Sequence, residues 1–152
     1  MRTNVLMVCL GNICRSPLAE GLLRSKVDPA RVFIDSAGTG GYHIGERPDP
    51  RSVAVAKKYG VDINAQRCRK FKAEDFSKFD IIYAMDQSNY NNIVALANSE
   101  ADIGKVKLLL EEVGMGIREV PDPYYGGEHG FENVYQLIDK ACSAIAERLN
   151  NS

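Results

Sequence analysis

The residues best suited to chemistry are Cys9, Arg15 and Ser16, in the segment Cys-Leu-Gly-Asn-Ile-Cys-Arg-Ser over 9–16. The thiolate is the nucleophilic form of cysteine, and a nearby arginine and convergent backbone N–H groups favour it. We therefore expect Cys9 to be ionised at neutral pH. Arg15 offers a planar fork for two phosphoryl oxygens, and Ser16 can hydrogen-bond the sulfur. The spacing favours nucleophilic attack on phosphorus.

A strand and a helix are predicted on either side of this segment. Residues 4–8 are apolar and β-rich, and a helical pattern covers 18–27. Because proline suits the first helical position, Ser16 is predicted to be the N-cap. The unpaired N–H groups of a helix N-terminus bind anions, and Gly11 lets the backbone curl around a phosphate. The alternative is that Cys9 is a small core residue at the end of a buried strand.

The composition is that of an ordinary soluble domain. With 152 residues, 45% hydrophobic content and a net charge of −1 at pH 7, the chain is predicted to form one domain over 1–152 with its own core. We expect no nucleic-acid partner, no membrane insertion and a cytoplasmic location. The cysteines show no CxxC pairing and lie far from the histidines in sequence, so a metal site and a disulfide framework are not expected.

Three further strands predict a parallel sheet. They cover residues 32–34, 79–85 and 106–110, and helices are predicted over 50–59, 88–97 and 131–149. Strand–helix–strand units form right-handed parallel crossovers, and continuous apolar strands fit a sheet covered on both faces. Ligands of such sheets bind beyond the carboxyl ends of the strands, which is where Cys9, Ser36 and Asp86 fall.

Several polar residues have both a structural and a functional interpretation. Ser36 is either a turn residue or a support for the first loop. Asp86 is either a helix N-cap or a charge partner for Arg15. Arg69 belongs to a basic run that is either solvated or a support beneath the site. Tyr42 is either a pocket wall or an exposed loop residue.

The stretch over 120–127, Val-Pro-Asp-Pro-Tyr-Tyr-Gly-Gly, holds a second candidate catalytic group. Two prolines hold Asp122 in extended, rigid backbone, although Asp-Pro is also common in turns. A cysteine nucleophile that attacks phosphorus needs a proton donor for the leaving group. Asp122 can supply that proton, with Tyr124 and Tyr125 beside it as an aromatic wall.

The sequence resembles the low-molecular-weight protein tyrosine phosphatases along its whole length. The matching stretches are, in order, residues 8–17, 35–39, 48–51, 85–86 with 88–89, and 122–126. The resemblance implies an α/β fold, a flavodoxin-like doubly wound sheet of four parallel strands with helices on both faces. It also implies hydrolysis of phosphotyrosine and aryl phosphates through a phosphocysteine intermediate.

The resemblance assigns roles residue by residue. Cys9 is the implied nucleophile, Arg15 the phosphoryl-binding residue and Asp122 the general acid. The substrate-binding positions are Leu10, Gly11, Asn12, Ile13, Cys14, Ser16, Tyr42, Tyr124 and Tyr125. The supporting positions are Ser36, Gln66, Arg69 and Asp86. The family often has a histidine bonded to the loop asparagine where this chain has Gln66, whose amide can still donate and accept.

The implied reaction has two steps. Cys9 attacks the phosphoryl group while Asp122 protonates the phenolate, and Asp122 then deprotonates the water that hydrolyses the phosphocysteine. No metal or other cofactor is required, the substrates are tyrosine-phosphorylated proteins, and inorganic phosphate is product or inhibitor. Cys14 is either a resolving thiol that forms a reversible disulfide with Cys9 or a buried packing residue.

Three other functions retain parts of the pattern. Arsenate reductases use a similar first loop but need further cysteines, and Cys68 and Cys142 are distant in sequence. Arginine-phosphate phosphatases place a threonine where Ile13 stands. A phosphopeptide-binding module retains the loop without the chemistry, and the presence of both Cys9 and Asp122 argues against it.

Overall fold

Four parallel strands form the centre of the structure, a computed structural model that describes residues 2–114, 116–123 and 130–151. The strands are β1 (Thr3–Cys9), β2 (Val32–Gly38), β3 (Ile81–Ala84) and β4 (Val106–Leu108). Their order across the sheet is β2-β1-β3-β4, with every neighbouring pair parallel. The predicted flavodoxin-like, doubly wound α/β fold is confirmed.

Six α-helices and one 3₁₀ turn connect and cover the strands of the described chain. They are α1 (Arg15–Arg24), α2 (Pro50–Lys58), α3 (Asp75–Lys78), α4 (Gln87–Val94), α5 (Glu100–Gly104), the 3₁₀ turn Glu111–Val113 and α6 (Gly130–Asn150). The short helices α3 and α5 were not predicted, because one turn of helix leaves no periodic apolar pattern in the sequence. No helix in the described ranges has the length and apolar character that crossing a membrane requires.

The side chains of β1 alternate between two buried layers. Val5 and Met7 belong to the cluster that packs beneath α1, α2 and α6. Leu6 and Val8 belong to the cluster on the opposite face, which includes residues of α3 and α4. Since successive strand residues point to opposite faces, the uninterrupted apolar run of β1 is stable only when both faces are covered.

The start of α1 differs from the prediction. The helix begins at Arg15, its N-cap position is Cys14 without a side-chain cap, and it ends at Arg24. Ser16 therefore lies inside the first turn and is not the N-cap. Pro17 is still tolerated there, because the N–H groups of the first turn have no intrahelical partner. This shift frees the Ser16 hydroxyl to contact the sulfur of Cys9.

Gly21 lets α1 lie close to the segment that follows α2. A Cβ atom at Gly21 would come within 2.5 Å of Ile63 Cγ2. We expect Gly21→Ala to lower the free energy of unfolding by roughly 1–3 kcal/mol through overpacking, although alanine favours helix. Gly104→Ala in α5 is the control, since a Cβ there meets open space. Denaturant unfolding measures both, and a Gly21→Ala protein as stable as the control would contradict this account of the packing.

Candidate active site

The anion-binding loop, residues 9–14, joins the end of β1 to the start of α1. Three of its carbonyl oxygens accept backbone N–H donors from neighbouring segments. These bonds join Thr39 N–H to the Cys9 carbonyl (2.9 Å), Gly40 N–H to that of Leu10 (2.8 Å) and Asp49 N–H to that of Ile13 (2.8 Å). Two more carbonyls accept side-chain donors. The Asn12 carbonyl accepts from the Cys68 thiol (2.8 Å), and the Cys14 carbonyl accepts from the Ser52 hydroxyl (3.3 Å).

These outward carbonyls determine where the N–H groups of the loop point. The C=O and N–H of a trans peptide point in opposite directions, so the following N–H groups turn toward the inside of the loop. In the described part of the chain, the N–H groups of Leu10, Gly11, Ile13 and Cys14 have no acceptor. Such a concave set of N–H groups at a helix N-terminus binds an anion.

Two residues make the tight course of the loop possible. Asn12 has a φ of 57°, a left-handed conformation that asparagine tolerates better than most residues. The left-handed residue is therefore Asn12 and not Gly11, on which the sequence prediction relied. Gly38, at the end of β2, lies against the loop backbone, because a Cβ there would be 2.7 Å from the Leu10 carbonyl oxygen.

The side chain of Asn12 organises a buried hydrogen-bond network. Its Nδ2 donates to Ser16 Oγ at 2.8 Å and to Ser36 Oγ at 3.0 Å, and its Oδ1 accepts the N–H of Arg69 at 3.0 Å. The Ser36 hydroxyl in turn donates to Glu20 Oε1 at 2.6 Å. The structure thus places Ser36 as a support for the loop.

This network includes the hydroxyl that contacts the sulfur of Cys9. Ser16 Oγ already accepts from Asn12, so its own proton is free to be donated to Cys9 Sγ, 3.0 Å away. The N–H of Asn12 is a second donor, 3.3 Å from the sulfur. Two donors on one sulfur stabilise a negative charge there.

Glu20 is a member of this network that the sequence analysis missed. Its side chain is buried and pairs with Arg24 at 2.7 Å. Burial raises the pKa of Glu20, and the hydrogen bond from Ser36 and the charge of Arg24 oppose that rise. The sequence did contain one indication of a buried carboxylate, namely an acidic residue among the apolar positions of the predicted first helix.

Arg15 is a buried cation held by acidic partners. Its Nη1 donates to Asp86 Oδ2 at 2.7 Å and to the Val120 carbonyl at 2.9 Å, and its Nη2 lies 3.8 Å from Asp122 Oδ2. Burial by itself lowers the pKa of Arg15, but the charges of Cys9 and of these two aspartates raise it by more. Asp86 also accepts the N–H of Asn89 and thereby caps α4. It therefore makes both contacts that the sequence suggested, the helix N-cap and the pairing with Arg15.

A cavity of about 380 Å³ opens over the loop. Its lining consists of Cys9, Leu10, Gly11, Ile13, Cys14, Arg15, Tyr42, His43 and Asp122. Tyr42 is 74% exposed, and the carboxylate side chain of Asp122 is 43% exposed. Tyr124 and Tyr125, predicted as pocket walls, lie outside the described residues.

His43 lines the cavity but was not predicted. Its Nδ1 lies 3.0 Å from Glu46 Oε2, and its ring packs so close to Gly11 that a Cβ there would be 3.2 Å from Cδ2. A single histidine in a loop gives no sequence signal for such a position. Gly11 therefore makes room for the wall of the cavity.

Gln66 and Arg69, both predicted as supporting residues, differ in whether they contact Asn12. Gln66 does not bond to Asn12, because it donates to the Pro17 carbonyl at 3.1 Å and its buried Oε1 has no partner among the described residues. The backbone N–H of Arg69 instead donates to the amide oxygen of Asn12. The guanidinium of Arg69 faces away from the cavity and pairs with Asp35 and Asp75.

The remaining cysteines are free thiols that differ in their distance from the loop. Cys14 is buried in the core cluster, and burial raises its pKa to about 12. Cys142 is buried within α6. Cys68, considered remote on the basis of sequence separation, contacts the loop directly. The separation was misleading because the chain between α2 and α3 returns to the loop.

The network predicts that Asn12 holds the reactive sulfur in a donor-rich position. We expect Asn12→Ala to lower the free energy of unfolding by about 1–3 kcal/mol. We also expect it to slow alkylation of Cys9 by iodoacetamide by about tenfold, a barrier increase of ~1.4 kcal/mol, because Ser16 loses the partner that orients its hydroxyl toward the sulfur. Asn89→Ala is a matched control, since Asn89 is equally buried but its Oδ1 has no partner in the described structure. Equal alkylation rates in the two variants would contradict the assignment.

Comparisons with known proteins agree with this geometry. The sequence model of the family described as low molecular weight phosphotyrosine protein phosphatase matches residues 4–152. The low molecular weight phosphotyrosine protein phosphatase of Schizosaccharomyces pombe is 46% identical over 142 residues, which cover 89% of this chain and 90% of that protein.

Solved structures are similar over nearly the full length. A protein tyrosine phosphatase from Entamoeba histolytica has a TM-score of 0.91 at 35% identity, covering 98% of this chain and 97% of its own. Vibrio vulnificus Wzb, solved in complex with benzylphosphonate, has a TM-score of 0.86 at 31% identity, covering 97% and 99%. The resemblance seen in the sequence is confirmed, and the chain belongs to the low molecular weight phosphotyrosine protein phosphatase family of hydrolases.

Proposed function

We propose that this protein hydrolyses phosphotyrosine in proteins, with Cys9 as nucleophile, Arg15 as the phosphoryl-binding residue and Asp122 as general acid. The observation that carries the proposal is that one cavity is lined by all three residues and by the loop with its inward N–H groups. Nucleophile, anion-binding groups and proton donor are the parts that cysteine-dependent phosphoryl transfer requires.

In the first step, Cys9 Sγ attacks phosphorus in line with the departing phenolate oxygen. The S–P bond forms as the P–O bond breaks, and Asp122 transfers its proton to that oxygen. Charge on the three equatorial oxygens is stabilised by the N–H groups of the loop and by Arg15. Ser16 Oγ, which lies 3.0 Å from the sulfur, donates its proton to the thiolate in this mechanism and stabilises it before attack.

In the second step, a water molecule replaces the departed tyrosine. Asp122, now a carboxylate, takes a proton from that water, whose oxygen attacks phosphorus and breaks the S–P bond. Inorganic phosphate leaves and Cys9 returns as a thiolate. The same N–H groups that bind the substrate bind this product, so inorganic phosphate is expected to inhibit competitively.

The shape of the cavity supports an aryl phosphate as substrate. Tyr42 and the side chains of Leu10 and Ile13 line it above the loop, so a phosphate on the loop would have its phenyl ring among apolar groups. The Wzb structure contains benzylphosphonate, a ligand with the same combination of ring and phosphorus group. That Tyr124 and Tyr125 also bind the substrate is part of the proposal.

The partners and location follow from the same chemistry. The substrates are tyrosine-phosphorylated proteins, and the reaction needs no metal or other cofactor in this mechanism. All four cysteines are free thiols, and Cys9 is active only when reduced. A cytoplasmic location, where thiols are kept reduced, is therefore part of the proposal.

A relay of the arsenate-reductase kind has little support from the other thiols. Burial raises the pKa of Cys14 to about 12 and that of Cys68 to about 11. Thiol–disulfide exchange proceeds through thiolates, so neither residue is prepared for rapid turnover. A slower protective reaction stays possible for Cys14, next to the reactive cysteine in the same loop.

That protective reaction has a direct test. Peroxide would oxidise the Cys9 thiolate to a sulfenic acid, and the Cys14 thiol would then form a disulfide with release of water. We expect mass mapping of peroxide-inactivated protein to find a Cys9–Cys14 crosslink, and thiol reductant to restore activity. In excess peroxide, Cys14→Ser should lose activity irreversibly, because its unprotected sulfenic acid is oxidised further to a sulfinic acid that thiols do not reduce. Recovery equal to that of the wild type would exclude the role.

The catalytic roles predict a dependence on the leaving group. With p-nitrophenyl phosphate and chelator present, Cys9→Ser should be inactive and Asp122→Asn about 10²–10⁴-fold slower. Phenyl phosphate has the more basic leaving group, so Asp122→Asn should impair its hydrolysis more strongly. Asp62→Asn, at an exposed position outside the cavity, is the control. Equal losses on the two substrates would remove Asp122 from the role of general acid.

A further inference from the structure

Cys68 contacts the anion-binding loop from a distant part of the chain. Its thiol donates to the Asn12 carbonyl at 2.8 Å, and the backbone N–H of the next residue, Arg69, donates to Asn12 Oδ1. Cys68 is 4% exposed. Two consecutive residues therefore hold Asn12, Cys68 at its carbonyl and Arg69 at its side chain.

We propose that Cys68 is a positioning residue whose thiol orients the Asn12–Ile13 peptide so that the N–H of Ile13 faces the phosphoryl group. The peptide is planar and trans, so a carbonyl that points outward to Cys68 directs the Ile13 N–H inward. That N–H has no acceptor in the described chain. The inference rests on the proposed phosphatase function, because it concerns charge stabilisation in that reaction.

The thiol is suited to this role because it stays protonated. Burial raises the pKa of Cys68 to about 11, and the nearby charges of Cys9 and Glu46 act in the same direction. The S–H group is consequently a donor throughout the neutral and mildly acidic range. A thiol is a weak donor, so its effect is to select one orientation of a peptide that is already constrained by Asn12.

Cys68 also connects the floor of the cavity to its wall. The N–H of Cys68 donates to the Glu46 carbonyl at 2.9 Å, and its carbonyl accepts the N–H of Gly45 at 2.8 Å. These two residues belong to the loop that carries Tyr42 and His43 along the cavity. The Asn12 peptide and the wall are thus fixed by the same residue.

Loss of the donor should affect the transition state more than substrate binding. Preorganised N–H donors act on charge that develops during the reaction, and removal of one typically costs 10²–10³ in kcat. Cys68→Ala leaves the Ile13 N–H in place but frees its peptide to rotate. We therefore expect kcat for p-nitrophenyl phosphate to fall by about tenfold, less than the loss for a donor that is missing altogether. KM should change by less than about threefold, because the donor acts mainly in the transition state.

The variants separate orientation from packing. Cys68→Ser retains a donor and should restore kcat to within about threefold of the wild type. Cys142→Ala is the matched control, since Cys142 is also a buried thiol, 3.7 Å from the Ala19 carbonyl and away from the loop. It should change stability without changing kcat. Thermal unfolding of all three variants reports whether each one folds.

A second measurement observes the peptide itself. Titration with inorganic phosphate should shift the Ile13 amide proton downfield in the wild type and in Cys68→Ser, and much less in Cys68→Ala. The proposal is overturned if Cys68→Ala retains both its kcat and the Ile13 shift, or if Cys68→Ser is as impaired as Cys68→Ala. Absence of turnover by the wild type would instead refute the proposed function, and the phosphate titration would still test Cys68.

Discussion

The site depends on hydrogen bonds that hold the carbonyls of the anion-binding loop outward. Backbone donors from the segments after β2 and before α2, together with the Cys68 thiol and the Ser52 hydroxyl, occupy those carbonyls. Because each planar peptide then turns its N–H inward, the loop is an anion site before any substrate arrives. Such preorganisation is what makes backbone donors effective in catalysis.

The site also depends on buried hydrogen bonds in which each polar group has a partner of the opposite kind, donor with acceptor. Glu20 accepts from Ser36, Ser36 accepts from Asn12, and Asn12 also donates to Ser16. The Ser16 hydroxyl, 3.0 Å from Cys9 Sγ, is thereby left free to donate its proton to the sulfur. An isolated buried carboxylate would destabilise the fold, so the pairing of Glu20 with Arg24 and Ser36 offsets that cost and keeps the hydrogen bonds from Ser36 through Asn12 to Ser16 in place.

Buried charge at Arg15 links the loop to the end of β3, the neighbouring strand in the sheet. Its ion pair with Asp86 joins the start of α1 to the cap of α4, and its hydrogen bond to the Val120 carbonyl fixes the segment that carries Asp122. Breaking a buried pair leaves an uncompensated charge and is strongly destabilising. Arg15, the proposed phosphoryl-binding residue, therefore also connects the end of β1 to the end of β3 and to the segment that carries Asp122.

The sequence by itself predicted a parallel sheet covered on both faces, from its continuous apolar strands and the alternation of strands and helices, and its resemblance to the family implied the four-stranded fold and the phosphatase chemistry. Residue types and positions also singled out Cys9, Arg15 and Asp122, which line one cavity, and Asp86, which pairs with Arg15. Tertiary structure decided what depends on contacts between distant segments: Cys68 and Arg69 on Asn12, Glu20 on Ser36, and Gln66 on Pro17 rather than Asn12. Hydrogen-bond partners follow from three-dimensional packing, which local sequence patterns do not encode.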